Sequence, residues 1–375
     1  MIQRHLKARI EKRLFKGKVI ILYGARRVGK TTLSKQIIEN LEDARYLNCE
    51  LLQNKTALST TNSELLKDFL GNYRIVVLDE AQHIDQIGLI LKILADTLPE
   101  MQIIATGSSS FDLGQKISEP LTGRARRFVL YPLSFNEIAD DNNLLDTHAG
   151  LDNLLRFGFY PEVVGKPEEE SIEELNEIAS NYLYKDILQF ERLKRPDLLF
   201  NLLKALALQI GGEVSFQELS RLLGTSVHTI KRYIELLEQS FVIFRLGSLS
   251  GNLRNEISKG QKIYFNDLGI RNAIIQNFSP LSARNDVGAL WENFCISERF
   301  KFNSNQGRTV NAYFWRSYFS KEVDYIEEKD GQITAFEFKY STNKQAQLPP
   351  IFKQVYPGAI FKVVNNTNYI SELFS

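Results

Sequence analysis

The chain has 375 residues and a mass of 43.1 kDa, a length that spans roughly two to three domains. Hydrophobic residues at 43% and charged residues at 24% give the balance of a globular protein and exclude a disordered one. With 46 basic against 45 acidic side chains the net charge is +1, so any binding to nucleic acid or membrane has to come from a local patch.

Cys49 and Cys295 make no disulfide framework and lack zinc-site spacing, and His5, His83, His148 and His228 are too scattered to nominate a metal site. The first apolar stretch, Val19–Tyr23, is too short for the core of a signal peptide, and no stretch approaches a membrane span. A cytoplasmic location without a membrane partner is therefore expected. Arg4, Lys7, Arg9, Lys12, Arg13, Lys16 and Lys18 crowd the start of the chain and read as a solvated basic helix, with nucleic-acid contact as the alternative.

Residues 1–133 alternate short apolar runs at 19–23, 45–49, 75–78, 102–105 and 128–131 with helix-compatible stretches at 30–41, 63–70 and 87–98. That alternation predicts a mostly parallel sheet covered by helices on both faces. Directly after the first run, Gly24, Ala25, Arg26, Arg27, Val28, Gly29, Lys30, Thr31 and Thr32 fit the phosphate-loop pattern G-x-x-x-x-G-K-[ST]. Its glycines let backbone N–H groups and a helix N-terminus wrap a phosphate. Lys30 would reach the β- and γ-phosphates of ATP, and the Thr31 hydroxyl would ligate Mg2+.

The third run ends in two acids. Asp79 would hold the magnesium, directly or through water, and Glu80 would polarise the attacking water, which favours hydrolysis over nucleotide binding alone. The fourth run ends in Thr106-Gly-Ser108-Ser-Ser, where Ser108 is placed either to touch the γ-phosphate or water or to cap a helix. Arg124 is the candidate for stabilising transition-state charge, from the same chain or a neighbouring copy, with surface charge as the alternative.

Taken together, GARRVGKTT, IVVLDEAQ, ATGSSS, LTGRARRF and YPLSFNEI resemble the AAA-like ATPases found widely in bacteria and archaea. The segment FGFYPEVV is similar to that family's Gly-x-x-Pro lid, which lies near the adenine; the matching residues are Gly158 and Pro161. The family commonly has Gly-Gly before this segment, where the chain reads Phe157-Gly158.

Helical periodicity dominates residues 134–250. The acids at positions 168–177 predict a solvated helix face, and 216–223, a turn at Gly224-Thr225 and 226–237 predict two packed helices. Leu219, Leu222, Val227, Ile230, Ile234 and Leu237 supply the packing face, and a strand at 241–244 completes a winged-helix pattern. Ser226 would cap the second helix, leaving His228, Thr229, Lys231 and Arg232 toward DNA, or toward solvent if the module docks protein.

Residues 251–375 predict a helix at 286–300 and strands at 310–315, 322–327 and 333–340. Asp330-Gly331 predicts a two-residue hairpin turn that pairs Lys329 with Gln332 and so carries Asp324 opposite Glu337, with Lys339 on the same face. Facing carboxylates call for a cation or a shared proton between them, and magnesium suits oxygen ligands; an exposed hairpin whose charges are neutralised by Lys339 and solvent is the alternative. The arrangement resembles the PD-(D/E)xK nuclease core: Asp324 as first acid, Glu337-Phe-Lys339 as E-x-K, and Glu292 matching an additional helical acid. Val323 stands where that pattern often has proline.

The expected architecture is thus α/β: a P-loop NTPase domain at 1–133, a helical and winged-helix segment at 134–250, and a restriction-endonuclease-like domain at 251–375. The expected activity is magnesium-dependent ATP hydrolysis coupled to DNA or RNA. Recruitment of a protein partner by a silent nuclease-like domain is the alternative, and a homo-oligomer is needed if Arg124 acts on a neighbour.

Overall fold

A computed structural model describes residues 2–108, 121–182, 195–249, 260–317, 321–343 and 346–375. Among them the chain divides into two compact units. One comprises residues 1–133 with 239–241, and the other 134–238 with 242–375. The boundary expected at 250/251 lies outside the described residues.

The first unit is a five-stranded parallel sheet of β1 (Val19–Tyr23), β2 (Ala44–Asn48), β3 (Ile75–Asp79), β4 (Gln102–Gly107) and β5 (Ala125–Val129), in the order β2-β3-β4-β1-β5. Every residue of β1, β3 and β4 is buried, as their unbroken apolar runs require for strands covered on both faces. Alternate side chains such as Val19, Ile21 and Tyr23 share one core with Leu66 and Leu70 of the helix Ser63–Leu70 and with Ile87, Ile90, Leu91 and Leu94 of the helix Ile87–Thr97. The helix Lys30–Ile38 packs on β3 and β4.

One strand differs from expectation. β5 begins three residues before the apolar run at 128, taking in Arg126 and Arg127. This edge strand keeps partial solvent access, so its charged side chains do not have to be buried. Because β4 lies between β1 and β3, three strand ends converge where parallel sheets bind ligands, at their carboxyl ends.

The second unit begins with a capping box: the Ser134 hydroxyl accepts from the Glu137 N–H and the Glu137 carboxylate from the Ser134 N–H, opening the helix Phe135–Asp141. Its seven-stranded sheet has the order β12-β11-β10-β9-β7-β8-β6, with β6 (Glu213–Val214), β7 (Ile243–Ser248), β8 (Gln261–Phe265), β9 (Asn311–Arg316), β10 (Glu322–Lys329), β11 (Gln332–Phe338) and β12 (Ile360–Val364). The helices Phe216–Leu222 and Val227–Gln239 lie between β6 and β7. Leu219, Ile230, Ile234 and Leu237 are buried as the periodicity requires, whereas Leu222, at the C-terminal end of its short helix, is 64% exposed. Ser226 accepts from the Thr229 N–H at 3.1 Å, and His228, Lys231 and Arg232 are exposed.

Toward the C-terminus the order is helix Val287–Gln306, β9, β10, β11, helix Pro350–Val355, β12. The first three strands are antiparallel and β12 joins β11 in parallel. The hairpin register is the expected one, from Lys329 opposite Gln332 to Tyr325 opposite Phe336. Asp330 and Gly331 both take positive φ, 51° and 80°, the conformation of the tight turn that fits twisted strands.

Candidate active site

The loop after β1 leaves no room for a side chain where it starts. A Cβ on Gly24 would lie 2.3 Å from the Leu130 carbonyl oxygen, and Gly29 takes φ +96° as it opens the helix Lys30–Ile38. Lys30, only 5% exposed, donates to the carbonyls of Gly24 (3.0 Å) and Ala25 (2.8 Å), so its ammonium lies inside the loop. Arg4 closes the loop from outside: its guanidinium donates to the Val28 carbonyl at 2.8 Å and the Tyr131 carbonyl at 2.6 Å. Of the N-terminal basic cluster, this residue is therefore buried against the loop rather than solvated.

The loop meets the acids of β3. Thr31 Oγ1 donates to Asp79 Oδ2 at 2.7 Å, Tyr46 of β2 donates to the same oxygen at 2.5 Å, and Thr106 of β4 donates to Oδ1 at 2.5 Å. All three donors are neutral hydroxyls, which orient the carboxylate while leaving its charge in place. Glu80 follows with the left-handed backbone φ 53°, ψ 45°, uncommon for a residue with a side chain, and its N–H donates to Thr106 Oγ1 at 3.1 Å. The Glu80 carboxylate accepts from Gln82 Nε2 at 2.5 Å, and the same amide contacts Ser108 Oγ at 3.2 Å. Ser108 is thereby linked to Glu80 through Gln82; Ser109 and Ser110 lie outside the described residues.

Lys30, Thr31, Asp79, Glu80 and Ser108 thus share the carboxyl-end edge of one sheet. The oxygen donors Thr31 Oγ1 and Asp79 Oδ2, side by side, fit a hard divalent cation such as magnesium. Arg124 is not brought to this edge. It immediately precedes the parallel strand β5, its carbonyl accepts from Val19 N–H, and its guanidinium pairs with Asp96 at 2.6 Å on the surface. The length of β1 separates it from the loop, about 16 Å for five residues.

Gly158 and Pro161 belong to the second unit. Gly158 ends the helix Leu151–Phe157 with φ +75°, and a Cβ there would sit 2.2 Å from Asp267 Oδ1 and 2.6 Å from the Gly269 nitrogen. Asp267 accepts from the Phe159 N–H at 2.7 Å and caps the helix Leu268–Ile275, so this glycine permits a close backbone approach within its own unit. Pro161 is exposed.

The C-terminal carboxylates do converge. Asp324 accepts from the Phe338 N–H at 2.8 Å, and Lys339 Nζ lies 2.6 Å from Glu337 and 3.8 Å from Asp324. Glu292 joins them from the helix Val287–Gln306, accepting from Tyr264 at 2.6 Å and Lys262 at 3.0 Å. Lys262 also pairs with Glu322, and its side chain is 3% exposed. Burial pushes the Glu292 carboxyl up to about 7, opposed by Lys262 and reinforced by the charge of Asp324. Burial raises Asp324 and Glu337 as well; Lys339 opposes the first, and Asp324 adds to the second. Among the described residues no three Asp, Glu, His or Cys side chains are grouped to hold a metal ion. Two lysine ammoniums stand among the carboxylates instead, so this cluster does not fit a preformed magnesium site.

Residues 16–139 match the family model described as an AAA domain. Residues 148–281 and 287–371 match models of two domains of unknown function, DUF8612 and DUF4143. An uncharacterized protein of Mycobacterium tuberculosis is 25% identical over 342 residues, covering 90% of this chain and 74% of that one. An uncharacterized protein of Methanocaldococcus jannaschii is 27% identical over 383 residues, covering 92% of this chain and 80% of that one. Among solved structures, a Walker-type ATPase of Pyrococcus abyssi superposes with a TM-score of 0.51 at 16% identity, over 73% of this chain and 96% of that one. The domain match and the shared fold support an AAA-like ATPase domain in the first unit. No helix among the described residues is long and apolar enough to cross a membrane.

Proposed function

We propose that the chain binds ATP and hydrolyses it in a magnesium-dependent reaction. The observation that carries this reading is the convergence of Lys30, Thr31, Asp79 and Glu80 at the ends of β1 and β3. Residues 24–32 would wrap the phosphates, with Lys30 exchanging its bonds to the Gly24 and Ala25 carbonyls for the β- and γ-phosphates. Thr31 and Asp79 would hold magnesium, which when bound neutralises charge on those phosphates. Glu80 polarises the attacking water for in-line displacement, and Gln82 with Ser108 holds the Glu80 carboxylate at the mouth of the site. Gly158 and Pro161 would serve as the adenine lid by resemblance. Arg124, placed at the far end of its own sheet, would act only on the site of a second copy.

We read the second unit as a winged helix joined to a nuclease-like module, with nucleic acid as its natural partner. Support comes from the helix-turn-helix before β7 and β8, with His228, Lys231 and Arg232 exposed. It comes also from the order helix, three antiparallel strands, helix, parallel strand around Asp324, Glu337 and Lys339. A second reading, a nucleotide-dependent switch that recruits a protein through a catalytically silent module, is favoured by the lysines that already neutralise its carboxylates.

The experiment is phosphate release with and without DNA or RNA, alongside cleavage assays of wild type, Asp324→Ala and Lys339→Ala. Turnover raised by nucleic acid, with cleavage lost in both variants, supports the first reading. Turnover indifferent to nucleic acid, with no cleavage, leaves the switch. No ATP binding by the wild type would contradict both.

A further inference from the structure

The phosphate loop and the two acids belong to β1 and β3, yet the carboxylate of Asp79 is also held by β2. That strand pairs with β3 in parallel register, Tyr46 opposite Val77 and Asn48 opposite Asp79. From there the half-buried Tyr46 reaches diagonally to Asp79 Oδ2, the oxygen that also accepts from Thr31. Two hydroxyls from separate elements therefore converge on one carboxylate oxygen, the one facing the phosphate loop.

The Tyr46 ring is itself clamped. Lys35 lies one helical turn beyond Thr31, and its ammonium stands 4.7 Å from the ring centroid. The helix that carries Thr31 thus fixes both partners of Asp79 Oδ2. A phenol is a neutral hydroxyl at neutral pH, and here it donates to Asp79 Oδ2. A neutral donor sets the carboxylate rotamer without cancelling its charge, and the phenol oxygen keeps lone pairs that can accept from water.

We propose that Tyr46 is a positioning residue of the magnesium site: its hydroxyl locks Asp79 beside Thr31 and accepts a hydrogen bond from metal-held water. This rests on the ATPase reading and extends the site to β2, outside both sequence motifs. Residues that orient metal ligands in this way typically change metal affinity about 10- to 100-fold when removed.

The test is binding of a fluorescent ADP analogue to the full chain, titrated with MgCl2 and repeated in EDTA, for wild type and Tyr46→Phe. Phenylalanine keeps the ring and its contact with Lys35, and thermal melting checks that the fold is unchanged. The half-saturating magnesium concentration should rise about tenfold in Tyr46→Phe, while affinity in EDTA stays within about twofold. An unchanged magnesium midpoint, with wild-type binding intact, would overturn the proposal. Equal weakening with and without magnesium would overturn it too, making Tyr46 a support of the whole loop. Wild type that shows no magnesium-dependent nucleotide binding would overturn the ATPase reading itself, and this extension with it.

Discussion

Both units bury carboxylates, but they hold them with different partners. Asp79 is held by the hydroxyls of Thr31, Tyr46 and Thr106, which leave its negative charge in place. Glu292, Glu322, Asp324 and Glu337 face the ammoniums of Lys262 and Lys339. Neutral donors preorganise a carboxylate for a cation still to come, whereas lysines supply the cation in advance. The contrast agrees with the hydrolysis proposed for the first unit and sets a harder condition for metal-dependent chemistry in the second.

The largest expected effect breaks the first half of that comparison. Glu80→Gln keeps the size and hydrogen-bonding reach of the side chain but cannot polarise water as an anion. Its ATP turnover should fall about 10²- to 10⁴-fold in a phosphate-release assay, with ATP affinity retained. Lys262→Met tests the second half. It removes a buried ammonium from between two acids and should destabilise the second unit by about 3–5 kcal/mol, read by denaturant unfolding. If millimolar magnesium restores that stability selectively in the variant, the carboxylates can exchange a lysine for a metal ion.

The pH dependence sharpens the same point. Glu292 titrates near 7 in the folded unit against 4.5 for the free side chain, so the folded state holds its proton over a range where the unfolded state has lost it. Its contribution to stability is therefore fully present below about pH 4.5 and declines as pH rises through 7, by on the order of 3 kcal/mol. Glu292→Gln should flatten that decline, while Lys262, Tyr264 and Asp324 continue to face the position. The smallest effect is expected at Arg124. Its pair with Asp96 is exposed and remote from the loop of its own chain, so Arg124→Ala should leave turnover of dilute protein within about twofold. Loss of turnover that appears only at high protein concentration would instead reveal action on a neighbouring copy.

Local signals carried much of this structure. An unbroken apolar run with phosphate-loop chemistry after it locates β1, and Asp330-Gly331 sets the hairpin register that brings Asp324 toward Glu337 and Lys339. What the sequence does not display is which strands become neighbours. Thr106 and Tyr46 reach Asp79 because β4 and β2 flank β3, an order that no local periodicity encodes. Lys262 and Glu322 carry no local signal for the same reason, since only β8 and β10 folded into one sheet bring them together. Arg4 reads as one more charge in a basic stretch, although its guanidinium bridges the phosphate loop and the end of β5. Arg124 shows the converse. Once β5 is known to run parallel to β1, a residue preceding it has to lie at the end away from the loop.

The roles of Lys30 and Glu80 are separated by measuring ATP binding and phosphate release side by side, with magnesium, for wild type, Lys30→Ala and Glu80→Gln. Turnover is expected in the wild type, weakened binding in Lys30→Ala, and tight binding with turnover all but abolished in Glu80→Gln. Wild-type rates of phosphate release from Glu80→Gln would contradict this role of Glu80, because the acid that follows β3 would then not be the group that activates water.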